Sequence, residues 1–302
     1  MTGSELLTGN PIIRYKFTAD PTVIAFNNTA YLYTGHDEPP ADVDDYIMND
    51  WLCVSSTDLK TWIEHPVPLS AKDFKWAKGD AYASKVIHFN DKFYWFVSVS
   101  HGSVPGKAIA VAVSKHPTGP FEDALGHALV THDMLPKAET DKTNLDPSVL
   151  IDDDGTAHMY WGNTICYCAR LNSDLTAIDR EIRITDLPGF SEGAHIHKHG
   201  DWYYLPYGHE FPEKVAYAMS RNAAGPWEFK GILNEAAENC ETNRPATLDF
   251  RGKSYFFYHN VALPSGGSHR RSVCIDYLHY NADGTMKQVV MTSDGVEKLI
   301  NS

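Results

Sequence analysis

The chain has 302 residues, 43% hydrophobic and 22% charged, a composition normal for a soluble globular protein that buries a sizeable core. Its formal net charge of −13 argues against a nucleic-acid backbone or an anionic membrane as partner, because both carry negative charge. A neutral ligand is compatible with this charge. The sequence contains no apolar run near the ~18 residues that a membrane span needs.

The five cysteines are scattered and odd in number, which favours reduced thiols over a disulfide framework. Cys166 and Cys168 have one residue between them and no second pair follows, so a zinc site is not predicted. The first residues, MTGSELLTGN, lack the basic region and apolar core of a signal peptide. We therefore expect a cytoplasmic protein, unless a leader has been removed from the chain.

The first predicted element is a hairpin in FTADPTVIAFNNTAYLYTG, from Phe17 to Gly35. The same order of short strand, polar or glycine-containing turn and aromatic-rich strand recurs from Ala81, Leu145, Glu192 and Asn243. Such turns between apolar runs are typical of β-hairpins. Self-similarity along the chain indicates a repeat architecture.

A second hairpin follows most copies. It is read in LCVSSTDLKTWIEH, AVAVSKHPTGPFED, AYAMSRNAAGPWEFKG and CIDYLHYNADGTMKQV, and more weakly in CARLNSDLTAIDREI. The unit therefore has about four strands in roughly 60 residues, and no segment has a convincing helical period. Five such units predict an all-β fold, a five-bladed β-propeller in which each blade is a four-stranded antiparallel sheet.

A β-solenoid is the competing repeat fold, but its repeats are usually much shorter. The propeller is predicted to occupy residues 1–302 as a single catalytic domain, because no long Pro-, Gly- or Ser-rich linker divides the chain. The first copy starts near Ala19. The short segment before it is expected to pair with the last blade and close the ring.

The first strands of four copies begin at charged residues, which are Asp20, Asp146, Glu192 and Arg244; the second copy has Tyr82 and Ala83 there. In a propeller these strand starts converge on the central axis. Taken singly, each acid is more readily explained as a turn former or a solvated residue, and Asp-Pro is an ordinary turn dipeptide. Three acids brought together are costly, which indicates a function. Carboxyl groups in different protonation states are what glycoside hydrolysis requires.

Three runs, TADPTVI, NLDPSVLIDDDG and SEGAHIHK, resemble in order and spacing the motifs of the family-43 glycoside hydrolases. The resemblance covers essentially the whole chain. It implies a five-bladed propeller that acts on arabinose- and xylose-containing plant polysaccharides with inversion at the anomeric carbon. It also implies that Asp20 is the general base, that Asp146 tunes pKa values and orients, and that Glu192 is the general acid.

Other substrate-binding candidates are less distinctive. Arg271, in SHRRSV, matches a substrate-contacting arginine of the family, although an arginine on the surface gives the same sequence pattern. Trp76 is placed to stack on a sugar or simply to pack, and His259 and Asn260 either line the pocket or cap a strand end. The same ambiguity applies to His36 and Asp37.

One residue departs from the family pattern. Many members carry a histidine where this chain has Arg244, and that histidine helps to hold a calcium ion in the central channel. A guanidinium at this position takes the place of the cation and supplies fixed positive charge beside the carboxylates. We therefore expect that no cofactor is required. If calcium does bind, His195 and His197 are the alternative ligands, and any other metal ligands are unknown.

The leading hypothesis is an exo-acting hydrolase that releases terminal α-L-arabinofuranose from arabinoxylan oligosaccharides, with β-D-xylose as a second sugar. Its partner is then a neutral, pentose-containing oligosaccharide. A non-catalytic propeller that binds carbohydrate or protein is the first alternative, and it needs no axial acids. A retaining fructan or sucrose hydrolase is the second, and product stereochemistry separates it. The sequence decides neither arabinose against xylose nor the oligomeric state.

Overall fold

The computed structural model describes residues 9–138 and 140–299. In these ranges the chain folds into five antiparallel β-sheets, arranged as blades around a central channel. Two single-turn 3-10 helices, Ala71–Asp73 and His132–Met134, lie in the connections. The predicted all-β five-bladed propeller is confirmed.

The strands follow one another in chain order. The first sheet holds β1 (Phe17–Phe26), β2 (Thr29–Asp37), β3 (Asp50–Ser56), β4 (Ile63–Glu64) and β5 (Leu69–Ser70). The second holds β6 (Ala77–Gly79), β7 (Ser84–Phe89), β8 (Lys92–His101), β9 (Lys107–Ser114) and β10 (Glu122–Asp123). The third holds β11 (Ser148–Ile151), β12 (Ala157–Trp161), β13 (Cys166–Leu171) and β14 (Arg183–Thr185). The fourth holds β15 (His197–His199), β16 (Trp202–His209), β17 (Lys214–Ser220) and β18 (Glu228–Asn234), and the fifth β19 (Ala246–Phe250), β20 (Lys253–Asn260) and β21 (Ser272–Leu278).

The predicted hairpin turns have the backbone conformation that their residues favour. Asn27 and Asn28, between β1 and β2, have φ angles of 47° and 59°. Asn90 and Asp91 repeat this between β7 and β8, with φ angles of 49° and 57°. Two central residues at positive φ match the right-handed twist of the flanking strands, and asparagine, aspartate and glycine tolerate that conformation best.

The prediction of four strands in every blade holds only for the third and fourth sheets. In the first two, a short extra strand pairs beside the regular ones, β5 with β3 and β6 with β8. The described part of the fifth sheet has three strands, because the chain after β21 bonds to its neighbours at single points. Val289 N donates to Leu233 O of the fourth blade, and Met286 N donates to the Tyr217 hydroxyl.

The ring closes as the sequence predicts. The segment before β1 lies along β21, where Ile12 N donates to Val273 O at 2.9 Å, and at the start of β1 Thr18 N donates to Arg271 O at 2.8 Å. The Asn10 side chain extends this pairing, since its amide donates to Ile275 O and its oxygen accepts from Ile275 N. Residues from the two ends of the described chain therefore complete the last blade.

Aromatic side chains fill the spaces between blades. Tyr33 of the first blade and Trp95 of the second meet with ring centroids 4.9 Å apart, and Phe121 packs against Trp95 at the same distance. Each propeller blade buries its faces against its neighbours in this way. The innermost strands β1, β7, β11, β15 and β19 are thereby held around the channel. Within the described ranges, no helix is long and apolar enough to cross a membrane.

Candidate active site

The N-terminal ends of the innermost strands surround a cavity of about 650 Å³. Asp20, Asp146 and Glu192 all line it, as does Arg271. The structure therefore brings together the three acids that the sequence singles out. Aromatic side chains form part of the remaining wall, namely Tyr46, Tyr82, Phe190 and Phe211.

A shared backbone feature places the acids. Asp20 and Asp146 have φ angles of 51° and 59°, and Gly193 occupies the corresponding position of the fourth blade with a φ of 69°. Aspartate and glycine are among the residues that adopt this left-handed conformation most readily. Glu192 therefore lies one residue before the position of the two aspartates. At Asp20 the ladder of β1 and β2 is also interrupted by a register shift, a device that re-aims a side chain.

Asp20 is paired with Arg271. Arg271 Nη1 lies 3.2 Å from Asp20 Oδ1. The same guanidinium is held from behind by Asp37, whose two carboxylate oxygens accept from Nε and Nη2 at 2.9 Å each. Such a bidentate pair fixes the orientation of an arginine as well as its charge. Asp37, ambiguous in the sequence, thus acts on the site through Arg271.

His259 supports Asp20 from the other side. Its Nδ1 accepts from the backbone N–H of Asp20 at 3.3 Å, which leaves the proton on Nε2 to donate to Thr242 O at 2.9 Å. Complete burial and the nearby charge of Arg271 lower the pKa of His259 to about 3. The imidazole is therefore neutral, and it positions the backbone of Asp20 without adding charge.

Asp146 has a different set of partners. Its Oδ1 lies 2.9 Å from Arg244 Nη1, and its Oδ2 accepts from the backbone N–H of Gly193 at 2.7 Å. Burial raises the pKa of Asp146, and the charge of Arg244 opposes that rise. Because Gly193 follows Glu192 directly, Asp146 fixes the backbone that carries the third acid.

Glu192 has no cationic partner among the described residues. Its Oε2 accepts from Asn163 Nδ2 at 2.7 Å. Burial, followed by the charges of Glu213 and Asp146, raises its pKa well above the ordinary range of glutamate. A carboxyl group in this position holds its proton at neutral pH.

Glu213 is a member of the site that the sequence reasoning missed. It lines the same cavity, is 3% exposed, and accepts from Ser191 Oγ at 2.6 Å and from Asn243 N at 2.9 Å. Burial raises its pKa to about 7. It lies in EFPEK, just before β17, where no other copy of the repeat has an acid, so nothing in the sequence marked it.

The remaining predicted residues lie outside the cavity wall. Trp76 donates its indole N–H to Asp123 Oδ2 at 3.0 Å and packs on His101, and Asn260 Oδ1 accepts from Ala262 N. In the described part of the chain neither residue lines the cavity. His36 pairs with Asp50 at 2.9 Å, and Arg244 lies behind Asp146. Tyr46, which the sequence reasoning passed over, lines the cavity and lies 5.0 Å from the guanidinium of Arg271.

The central channel does not offer what calcium needs. Calcium takes about six to eight oxygen ligands. Here the buried residues that share the channel axis include Lys85 and Arg244, whose charges repel each other. His195 Nε2 is already occupied, since it accepts from Thr247 N at 3.2 Å. These residues do not fit a bound divalent cation.

Comparison with known proteins places the chain in a family. The sequence profile of "Glycosyl hydrolases family 43" matches residues 8–286. An arabinoxylan arabinofuranohydrolase from Paenibacillus polymyxa is 29% identical over 97% of this chain, and another from Bacillus subtilis (strain 168) is 26% identical over 97%. The chain spans 53% of the length of the first and 66% of the second.

Solved structures agree with this match. An α-L-arabinofuranosidase from Clostridium thermocellum superposes with a TM-score of 0.81 at 32% identity, covering 96% of this chain and 98% of that one. A β-xylosidase/α-arabinofuranosidase from a compost metagenome, crystallised with xylotriose in a calcium-free form, has a TM-score of 0.83 at 25% identity, covering 96% of this chain and 98% of that one. On the extent of the profile match and the likeness to the first of these structures, the chain belongs to glycosyl hydrolases family 43.

Proposed function

We propose that this protein is an exo-acting glycoside hydrolase that releases terminal α-L-arabinofuranose from arabinoxylan oligosaccharides with inversion, and that β-D-xylose is a second sugar it accepts. One observation carries the proposal. Three carboxyl groups face one cavity with three different partners, a guanidinium at Asp20, a guanidinium and a backbone N–H at Asp146, and a neutral amide at Glu192. Inverting hydrolysis needs one ionised and one protonated carboxyl group in the same site.

The contacts support a role for each acid. Asp20, paired with Arg271, is the general base. Glu192, half-buried and without a cationic partner among the described residues, is the general acid. Asp146 is a positioning residue, because its bond to the N–H of Gly193 fixes the backbone next to Glu192.

The reaction follows from these roles. Asp20 takes a proton from a water molecule, and the water oxygen forms a bond to the anomeric carbon. The bond from that carbon to the leaving oxygen breaks on the opposite face, and Glu192 gives its proton to the leaving oxygen. Asp20 ends protonated and Glu192 ionised, and exchange with solvent restores both.

The cavity suits a short, neutral carbohydrate. Its volume of about 650 Å³ falls within the range of about 300–1,000 Å³ usual for small-molecule sites. Tyr46, Tyr82 and Phe211 offer ring faces and edges to a sugar. The names of the relatives support pentose substrates, since they include arabinoxylan arabinofuranohydrolases and a xylosidase/arabinosidase from Bacteroides ovatus.

A cytoplasmic location is part of the proposal. All five cysteines are buried and free, which is compatible with a reducing compartment. In that compartment the substrates are short, imported oligosaccharides rather than intact polymer.

Hydrolysis assays test the proposal. The purified protein is incubated with nitrophenyl α-L-arabinofuranoside, nitrophenyl β-D-xyloside and arabinoxylo-oligosaccharides, and the first product is observed by proton NMR. We expect the arabinofuranoside to be cleaved fastest and the free sugar to appear first as the inverted anomer. Absence of hydrolysis of all three favours a binding protein, and a first product with retained configuration contradicts the roles assigned to Asp20 and Glu192.

A further inference from the structure

The far half of the central channel is a second cavity, of about 500 Å³, that opens on the face opposite the catalytic acids. It is lined by the later residues of the five innermost strands. The titratable residues of its wall are Lys85, His88, His195, His197, Lys198 and Asp249. Although the whole chain carries a net charge of −13, the interior of this channel is cationic.

Several polar atoms in and beside the channel have no hydrogen-bond partner among the described residues. Lys85, 9% exposed, forms no hydrogen bond or ion pair with any residue in the described ranges. His197 Nδ1 and Arg244 Nε are buried and unpartnered. His195 accepts at Nε2 from Thr247 N, so that its own proton lies on Nδ1. Buried polar groups are rarely left without a partner unless an ion or water completes them.

Only one of these residues carries an uncompensated charge. Burial lowers the pKa of His197 to about 3 and that of His195 well below its usual value, so both are neutral. Arg244 is neutralised by Asp146. Asp249, on the same wall, is hydrogen-bonded to His199 Nδ1 at 3.0 Å and to Ser254 Oγ at 2.5 Å. Burial and then the charge of Arg244 lower the pKa of Lys85 to about 7. A protonated Lys85 is therefore a positive charge with no carboxylate of the described residues within ion-pair distance.

We propose that the channel binds a small monovalent anion, such as chloride, at Lys85, with His195, His197 and Arg244 as further donors. A single compensating charge matches a monovalent anion, and the absence of a competing carboxylate beside Lys85 leaves the place open for it. Binding offsets the cost of burying the ammonium group, which is large for an unpaired charge. The site is independent of the proposed hydrolytic function.

Thermal unfolding tests the proposal. Melting temperatures are compared at pH 6.5, where Lys85 is mostly protonated, in potassium chloride and in potassium gluconate at equal ionic strength. We expect the wild type to melt several degrees higher in chloride, and Lys85→Met to lose that difference. Lys198→Met is the matched control, because Lys198 lies at the outer mouth and is paired with Asp153 at 2.5 Å. An equal chloride effect in wild type and Lys85→Met overturns the proposal, as does no effect in the wild type.

A crystal of the wild-type protein soaked in sodium bromide gives a second test that needs no variant. We expect an anomalous-scattering peak inside the channel beside the Lys85 ammonium group. Bromide peaks confined to the outer surface overturn the proposal. Both measurements are made without substrate, so their outcome does not depend on whether the chain hydrolyses arabinosides.

Discussion

Asp20-Pro21 of the first blade and Asp146-Pro147 of the third are the same dipeptide in the same backbone conformation, with aspartate φ angles of 51° and 59°. Their surroundings differ. Asp20 meets Arg271, which Asp37 holds in place, whereas Asp146 meets Arg244 and the N–H of Gly193. A repeated motif thus fixes where the two carboxyl groups lie, and partners from distant parts of the chain fix what each of them does.

The largest expected effect tests the first half of this comparison. Asp20→Asn keeps the shape of the side chain but removes the base, so activity falls by about 10²- to 10⁴-fold. The loss is the same for nitrophenyl arabinofuranoside and for arabinoxylo-oligosaccharides, because the attacking water needs the base whatever group leaves. The measurement is kcat on both substrates, with exposed Asp42→Asn as control. A loss confined to the oligosaccharides contradicts the role.

Glu192→Gln sharpens the contrast between base and acid. Activity on arabinoxylo-oligosaccharides falls by about 10²- to 10⁴-fold, but part of the activity on the nitrophenyl glycoside survives, because a phenolate leaves with little help from a proton. Steady-state kinetics on both substrates measure this split. Glu210→Gln, on the cavity rim and 71% exposed in its side chain, is the control. Equal losses on the two substrates rule out Glu192 as the acid.

Arg244→Met tests the second half of the comparison. It leaves the Asp146 carboxyl group buried without its cation, and breaking such a pair costs about 3–5 kcal/mol in the free energy of unfolding. Urea denaturation at neutral pH measures the change. Adding Asp146→Asn recovers part of the loss, since the unpaired charge is gone. Arg221→Met, an arginine with a 60% exposed side chain, changes stability little. If Arg244→Met and Arg221→Met lower the free energy of unfolding by similar amounts, the pairing of Arg244 with Asp146 is contradicted.

Glu213→Gln should move a pH profile rather than abolish activity. The charge of Glu213 helps to raise the pKa of Glu192, so removing that charge lowers the pKa of the acid. Glu192 then loses its proton earlier as the pH rises, and the alkaline limb of kcat/KM on oligosaccharides shifts down by about one pH unit. Glu210→Gln leaves the limb in place. An unchanged limb with uniformly lower activity indicates a purely structural role for Glu213.

Removal of metal gives the smallest expected effect. Because Arg244 supplies the positive charge beside Asp146, activity survives dialysis against EDTA and does not rise on addition of calcium. Arg244→His weakens activity, and calcium restores part of it. Loss of wild-type activity in EDTA, followed by recovery with calcium, contradicts the role of Arg244 as the positive charge that replaces the metal.

The local pattern was enough to predict the fold and the three acids. Asp20 and Asp146 stand out because charged residues recur at the starts of the repeated hairpins, whose turns are rich in asparagine, aspartate and glycine. Glu192 was found as well, although it lies one residue before the equivalent position, which Gly193 fills. These features depend on residues close together in sequence.

Features set by distant contacts were not predictable. Trp76 was a candidate either for stacking on a sugar or for packing, and its indole is held by Asp123. The aromatic wall comes instead from loop residues such as Tyr46 and Phe211. Glu213 enters the cavity from the turn between β16 and β17. Its neighbours Ser191 and Asn243 come from separate connections, and no spacing in the sequence brings these three together.

Because the ring closes between segments far apart in sequence, the propeller cannot complete its fold until both segments have been synthesised. The amide of Asn10 reaches the carbonyl of Ile275 across 265 positions of sequence. The segment around Asn10 therefore has no partner strand until β21 has left the ribosome, and the strand edges where the ring closes stay unpaired until then. Open edges pair readily with other chains, so the nascent propeller is exposed to misassembly until β21 emerges.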